Sequence, residues 1–160
     1  MNSRDAIKIG LDMADYVCMT YLNDMTDSEL MHRPHAACNH INWQVGHLVV
    51  SENEMMSKIP EAKMPALPDG LAAKYHRDTA TSDDPSKFAN KSELMATYKA
   101  QREATLKFLA SVSDSDLDKA TGIDYAPSLG ALFSIQGSHW LMHCGQWVVV
   151  RRDLGKPVVI

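Results

Sequence analysis

Cysteine is scarce in this chain of 160 residues: Cys18, Cys38 and Cys144 make an odd number with no C-x-x-C spacing. A disulfide-stapled framework is thereby excluded, and reduced thiols in a cytoplasmic protein are the expectation. Basic residues do not dominate either. Sixteen Lys and Arg against 20 Asp and Glu give a formal net charge of −4, which argues against the basic face that a nucleic-acid partner needs. Arg151-Arg152 is the one adjacent basic pair and reads as the end of a helix. The opening "MNSRDAIKIG" carries Arg4, Asp5 and Lys8 and no continuous apolar segment, so a secretory signal is not expected. No stretch alternates apolar and polar residues as a half-buried strand should, beyond short ambiguous pieces such as the terminal "PVVI".

Charge is missing from Pro34 to Ser51 and again over the 25 residues from Ala126 to Val150. By length alone the second run could cross a bilayer, which takes about 20 apolar residues. Ser128, Ser134, Gln136, Ser138, His139, His143 and Gln146 lie within it and would be costly in lipid, so a helix packed inside a water-soluble bundle is expected instead of a membrane span.

What is present is helical period. Ile7, Leu11, Ala14, Cys18, Leu22 and Met25 recur at spacings of three and four, which predicts an amphipathic helix over residues 3 to 23. Thr26-Asp27-Ser28-Glu29 is a capping-box pattern opening a short turn that Pro34 stops. Asn39 is the expected N-cap of a second helix over residues 40 to 57, ending before Pro60. Residues 58 to 89, with Pro60, Pro65, Pro68, Gly70 and Pro85, read as a long crossover. Asn90 and Glu93 open a third helix, with Leu94, Tyr98, Gln101, Thr105, Phe108 and Val112 on one face. Pro127-Ser128 opens a fourth that runs to Arg151-Arg152, with Gly155 and Pro157 closing it. Four long helices without a sheet make an all-α four-helix bundle in one domain over residues 1–160 the economical architecture. Gly130, Gly137 and Gly145 share roughly one face of the fourth helix, and close approach by a neighbouring helix would account for them.

On that helix Gln136, His139, His143 and Gln146 form a single stripe among apolar residues. The second helix repeats the arrangement with His40, Gln44, His47, Ser51 and Glu54. Solvent faces normally carry Lys and Glu, so uncharged His/Gln stripes are expected to look inward, where each imidazole needs a partner or an ion. A buried histidine hydrogen-bond network without metal would fit the same pattern. Histidines four apart differ by ~40° around a helix and ~6 Å along it, close enough to converge on one ion. His47, mid-helix, is the best third ligand and His40, at the helix start, the second choice. Trp140 stands where an H-E-x-x-H protease needs its glutamate, which removes that reading. The single E-x-x-H, Glu29 to His32, runs straight into Arg33-Pro34, so a di-iron carboxylate bundle is not supported. His32, His35, Cys38 and His40 match no closed zinc knuckle and read as loop residues. Cys144, beside His143, reads as a small core residue.

The segments "NHINWQVGHLVVSE" (39–52) and "HWLMHCGQWVVVRRDLGKP" (139–157) resemble the DinB-like superfamily of bacterial four-helix bundles, which includes the YfiT-like group. The resemblance implies an up-down-down-up bundle, often a homodimer, with a divalent metal on His47, His139 and His143. It also implies a metal-dependent transferase or isomerase that uses a low-molecular-weight thiol on a small electrophile, or a related hydrolase; a non-catalytic metal-binding stress-response bundle is the alternative. Gln44, Ser51, Glu54 and Gln146 are candidates to support the ligands or touch substrate. Zinc or nickel suits three imidazoles first, with iron, copper or manganese as alternatives, and affinity is expected to fall as pH drops through about 6.5.

Overall fold

The computed structural model describes residues 1–160. Helix α1 (Ser3–Asn23) opens on Asn2, whose side chain accepts from the Asp5 N–H, and buries Leu11, Ala14, Cys18, Tyr21 and Leu22. A single turn, α2 (Asp27–Leu30), is held by the Thr26/Glu29 capping box. Helix α3 (Ile41–Met56) begins one residue later than its expected start: His40, not Asn39, is the N-cap, its Nδ1 accepting from the Trp43 N–H at 3.0 Å. The crossover then carries one short helix, α4 (Leu71–Lys74), and three one-turn 3-10 segments, two of them with proline in the first turn. Helix α5 (Lys91–Ser111) has an Asn90/Glu93 capping box, and α6 (Leu129–Asp153) starts from Ser128.

Contacts fix the helix directions. Gly130 faces Ile7, Gly137 faces Gly10 and Ala14, and Arg151 reaches Tyr21, so α1 and α6 run parallel. Gln44 meets Trp147 while His47 meets His139, so α3 is antiparallel to α6. Asn42 binds Ala89 and Glu52 binds Thr105, so α3 and α5 are parallel. The order is up-down-down-up, with neighbours α1–α6–α3–α5 closing on α1. Two parallel helices in succession need a return connection, which is why some thirty residues separate α3 from α5. No helix is long and apolar enough to cross a membrane.

The expected absence of strands is corrected by a small antiparallel hairpin, β1 (Ala120–Ile123) with β2 (Ala126–Ser128), between α5 and α6. Strands of three and four residues are too short to show alternation, and Pro127 sits within β2 because that position need not donate a ladder bond. The shared-face reading of the glycines also changes. An added Cβ at Gly137 would lie 3.3 Å from the Gly10 carbonyl and one at Gly130 3.3 Å from the Leu117 carbonyl, but Gly145 faces open space.

Two apolar clusters fill the bundle. One gathers Leu22, Leu48, Val49, Leu94, Trp140 and Trp147; the other gathers Leu11, Met56, Phe108, Leu109, Leu132 and Phe133. A polar layer sits between them in register along the helices. Arg102 on α5, 3% exposed, pairs with Glu52 on α3 at 3.1 Å and Asp15 on α1 at 3.2 Å. Thr105 Oγ1 donates to Glu52 Oε1 at 2.9 Å and the Tyr98 hydroxyl donates to Asp15. Burial pushes the Glu52 carboxyl above its ordinary range against the pull of Arg102.

Candidate metal centre

The site forms where α3 crosses α6. On α6, His139 and His143 are one turn apart, and on α3, His47 projects between them. Ring centroids lie 5.0 Å apart for His139–His143, 5.3 Å for His47–His139 and 5.5 Å for His47–His143. One nitrogen from each ring can be chosen so that all three lie within 4.8 Å of one another. Three nitrogens bound tetrahedrally at 2.0–2.1 Å would stand about 3.4 Å apart, so small ring rotations close the triangle. His143 is buried and the other two are half-buried.

Each imidazole is held below its ordinary pKa. Burial is the first cause in all three; the neighbouring histidines add to it at His139 and His143, which fall to about 4. Glu54 works weakly against this at His47. At neutral pH the rings are uncharged and present lone pairs, the form a metal ligand must have.

The surroundings are built by the same two helices. Trp43 stacks on His47 at 5.2 Å with the planes 3° apart, and its indole N–H donates to Thr79 of the crossover at 3.0 Å. Gln44 Oε1 meets His143 Nδ1 and Trp147 Nε1, each at 3.0 Å, while its Nε2 donates to the Asn39 carbonyl at 2.7 Å. Packing against the crossover brings α3 close: Gly46 lies against the ring of Tyr75, where a Cβ would overlap the ring atoms. Tyr75 in turn donates to Asn42 Oδ1 and accepts from the Ala89 N–H, both at 3.0 Å.

Of the supporting residues expected from the stripes, Gln44 is in place. Ser51 is half-buried, Glu54 is exposed on the His47 face of α3, and neither hydrogen-bonds a ligand. Gln146 is exposed and also has no bond to the histidines, which corrects its inward placement. It lies at the edge of an uncharged outer face of α6 that includes Met142 and Val149. Missing charge on α6 therefore does not mean burial on every side. His40 is occupied as a cap and by the Ser82 carbonyl at 3.2 Å, His32 pairs with Asp153 at 2.5 Å, and Cys38 is exposed. The loop histidines thus do not converge. Cys144 is a buried free thiol in the core. Trp43 and Trp147 read from the sequence as apolar residues of their helices, and Tyr75 lies in the patternless crossover; their polar edges, which must find partners when buried, are the available signal.

The sequence model of the DinB superfamily matches residues 13–147, a span that contains all three histidines and both tryptophans beside them. The chain belongs to the DinB superfamily. No curated protein matches it. Membership and geometry agree on a DinB-type bundle with a three-histidine cluster able to hold a divalent metal.

Proposed function

We propose that this DinB-superfamily protein is a divalent-metal-dependent enzyme that joins a thiol or water to a small electrophile, as a thiol transferase or a related hydrolase or isomerase. The observation that carries the reading is the donor set: three neutral imidazoles from two helices and no carboxylate among them. Such a set leaves the charge of a cation uncompensated and coordination positions open, the mark of catalytic rather than closed structural sites. His47, His139 and His143 would hold the ion. When bound, it supplies Lewis acidity that lowers the pKa of a thiol or water.

The protein's own groups do the rest. Trp43 walls one side of His47 and excludes water from its face. Gln44 Oε1 meets His143 Nδ1 at 3.0 Å and steadies that ring. Glu54, the one charge acting on His47, stands two turns along α3 on the same helix face. Three free thiols support a cytoplasmic setting, and the net charge of −4 speaks against nucleic acid as partner. Leu141, Met142 and Val149, exposed at 38%, 60% and 56% on the uncharged face of α6, support a homodimer.

One observation favours a non-catalytic metal-binding protein as the second reading: two clefts of about 430 and 410 Å³ lie at the end of α5 around Glu61, Phe108 and Ser111, away from the histidines. Elemental analysis of natively purified protein decides whether a metal is present and names it. Metal-loaded protein is then assayed with a panel of low-molecular-weight thiols against epoxide, maleyl and halogenated substrates. Turnover supports the enzyme; no turnover with any pair, together with a large drop in melting temperature on chelation, favours the structural role.

A further inference from the structure

Gln44 is 1% exposed and spends every polar atom. Its amide is held at both ends by groups of opposite, unambiguous character. The Trp147 indole can only donate, and it points at one end from 3.0 Å; the Asn39 carbonyl can only accept, and it receives from the other at 2.7 Å. Chemistry alone therefore assigns oxygen to the end facing Trp147 and nitrogen to the end facing Asn39. That same oxygen lies 3.0 Å from His143 Nδ1. Two acceptors cannot share this contact, so Nδ1 must carry a proton, and the lone pair of the neutral ring falls on Nε2. Neither His47 nor His139 has a hydrogen-bond partner at a ring nitrogen; His47 is oriented by stacking on Trp43 instead.

We infer that Gln44 is a positioning residue, set by Trp147 and Asn39, that locks His143 in the Nδ1–H tautomer and so commits Nε2 to a metal ion. The inference rests on the three-histidine metal reading for its second half only; the tautomer is a property of the metal-free protein. Of the three ligands, His143 is the one delivered in a fixed tautomer and ring orientation, and the other two close on it. Partners that orient a ligand in this way are typically worth 10–100-fold in metal affinity.

The test uses protein labelled with ¹⁵N at histidine. Long-range ¹H–¹⁵N correlation spectra of the metal-free wild type at neutral pH are expected to show His143 protonated at Nδ1. Gln44→Leu should lose that preference and bind Zn²⁺, measured by competition with a chromophoric chelator, 10–100-fold more weakly. Gln44→Glu, which burial keeps protonated so that it donates to the Asn39 carbonyl while its other oxygen still accepts from His143 and Trp147, should keep the tautomer and restore most of the affinity, a rescue that a merely space-filling role would not give. Trp147→Phe should leave the tautomer unchanged, because the Asn39 carbonyl still orients the amide; if Gln44→Leu fails to fold, the wild-type tautomer decides the question. His143 protonated at Nε2 in the wild type, or a folded Gln44→Leu with wild-type Zn²⁺ affinity, overturns the inference. The expected tautomer in a wild type that binds no Zn²⁺, Ni²⁺ or Fe²⁺ supports the lock and rejects the metal reading separately.

Discussion

Replacing Gly46 by alanine adds one methyl group at the place where α3 meets the crossover, and its consequences can be worked through. The new Cβ would fall on the ring of Tyr75, which is 2% exposed and cannot swing into solvent. Forcing an extra methyl into a packed core costs about 1–3 kcal/mol. If the ring moves to relieve it, the Tyr75 hydroxyl leaves Asn42 and the Ala89 N–H, and each buried polar group so stranded costs roughly 1–3 kcal/mol. Against this stands the helix propensity gained on losing glycine, about 1 kcal/mol. With the ring moved, the balance is a loss of about 1–5 kcal/mol, or a melting temperature lower by roughly 2–20 °C for a chain of this size. Urea denaturation of four proteins isolates the cause: wild type, Gly46→Ala, Tyr75→Ala and the double variant. With the ring gone, Gly46→Ala should be neutral or stabilising by up to about 1 kcal/mol. A Gly46→Ala protein as stable as wild type, or an equal penalty in both backgrounds, would refute the reasoning. His47 follows Gly46 directly, so the single variant should also bind Zn²⁺ more weakly.

Loss of His139 to alanine should abolish stoichiometric Zn²⁺ binding while the apo fold survives, checked by elemental analysis and circular dichroism. Arg102→Met would strand Glu52 and cost about 3–5 kcal/mol, most of it recovered by adding Glu52→Gln; because the stranded carboxyl prefers its proton when folded, the single variant should gain stability as pH falls through the carboxylate range. The metal-free protein should lose stability between pH 6.5 and 4. Unfolded histidines take up protons near 6.5, whereas folded His40, His139 and His143 do so only near 4, so their contribution is full above 6.5 and lost as pH falls toward 4. His40 alone accounts for up to about 3 kcal/mol, and His40→Asn, which keeps a cap, should flatten that part of the profile. For the same reason Zn²⁺ affinity should persist below 6.5 and fall at lower pH than ordinary imidazoles would require, since all three ligands are held below their ordinary pKa; titration by competition below pH 6.5 checks it.

The long helices and the three histidines were legible because each is written in a local period. A four-residue spacing on α6 brings His139 and His143 together whatever the tertiary structure, and His47 needed only the further step that two uncharged stripes face each other. What escaped notice depends on residues far apart in the chain. Arg102 looks like an ordinary surface arginine of α5 until Asp15 and Glu52 arrive from two other helices. Gly46 is unremarkable without Tyr75, 29 positions later on a segment with no period of its own. His40 reads from the sequence as the second-choice metal ligand at a helix start, and geometry makes it the cap in place of Asn39. Gln146 is exposed because absence of charge does not require burial: an outer face can be uncharged too.

Gln44 and His143 touch although 99 positions apart, and this gives the α3–α6 crossing a second meaning. An ion held by His47 on one side and His139 and His143 on the other would tie shut a loop of most of the chain. By the loop-closure relation for a cross-link, closing about 100 residues removes roughly 4–5 kcal/mol of unfolded-chain freedom. Two histidines on one helix could grip an ion without this effect. The division of the ligands between helices makes the ion a reversible staple, so metal supply would govern how tightly the two halves of the polypeptide stay joined.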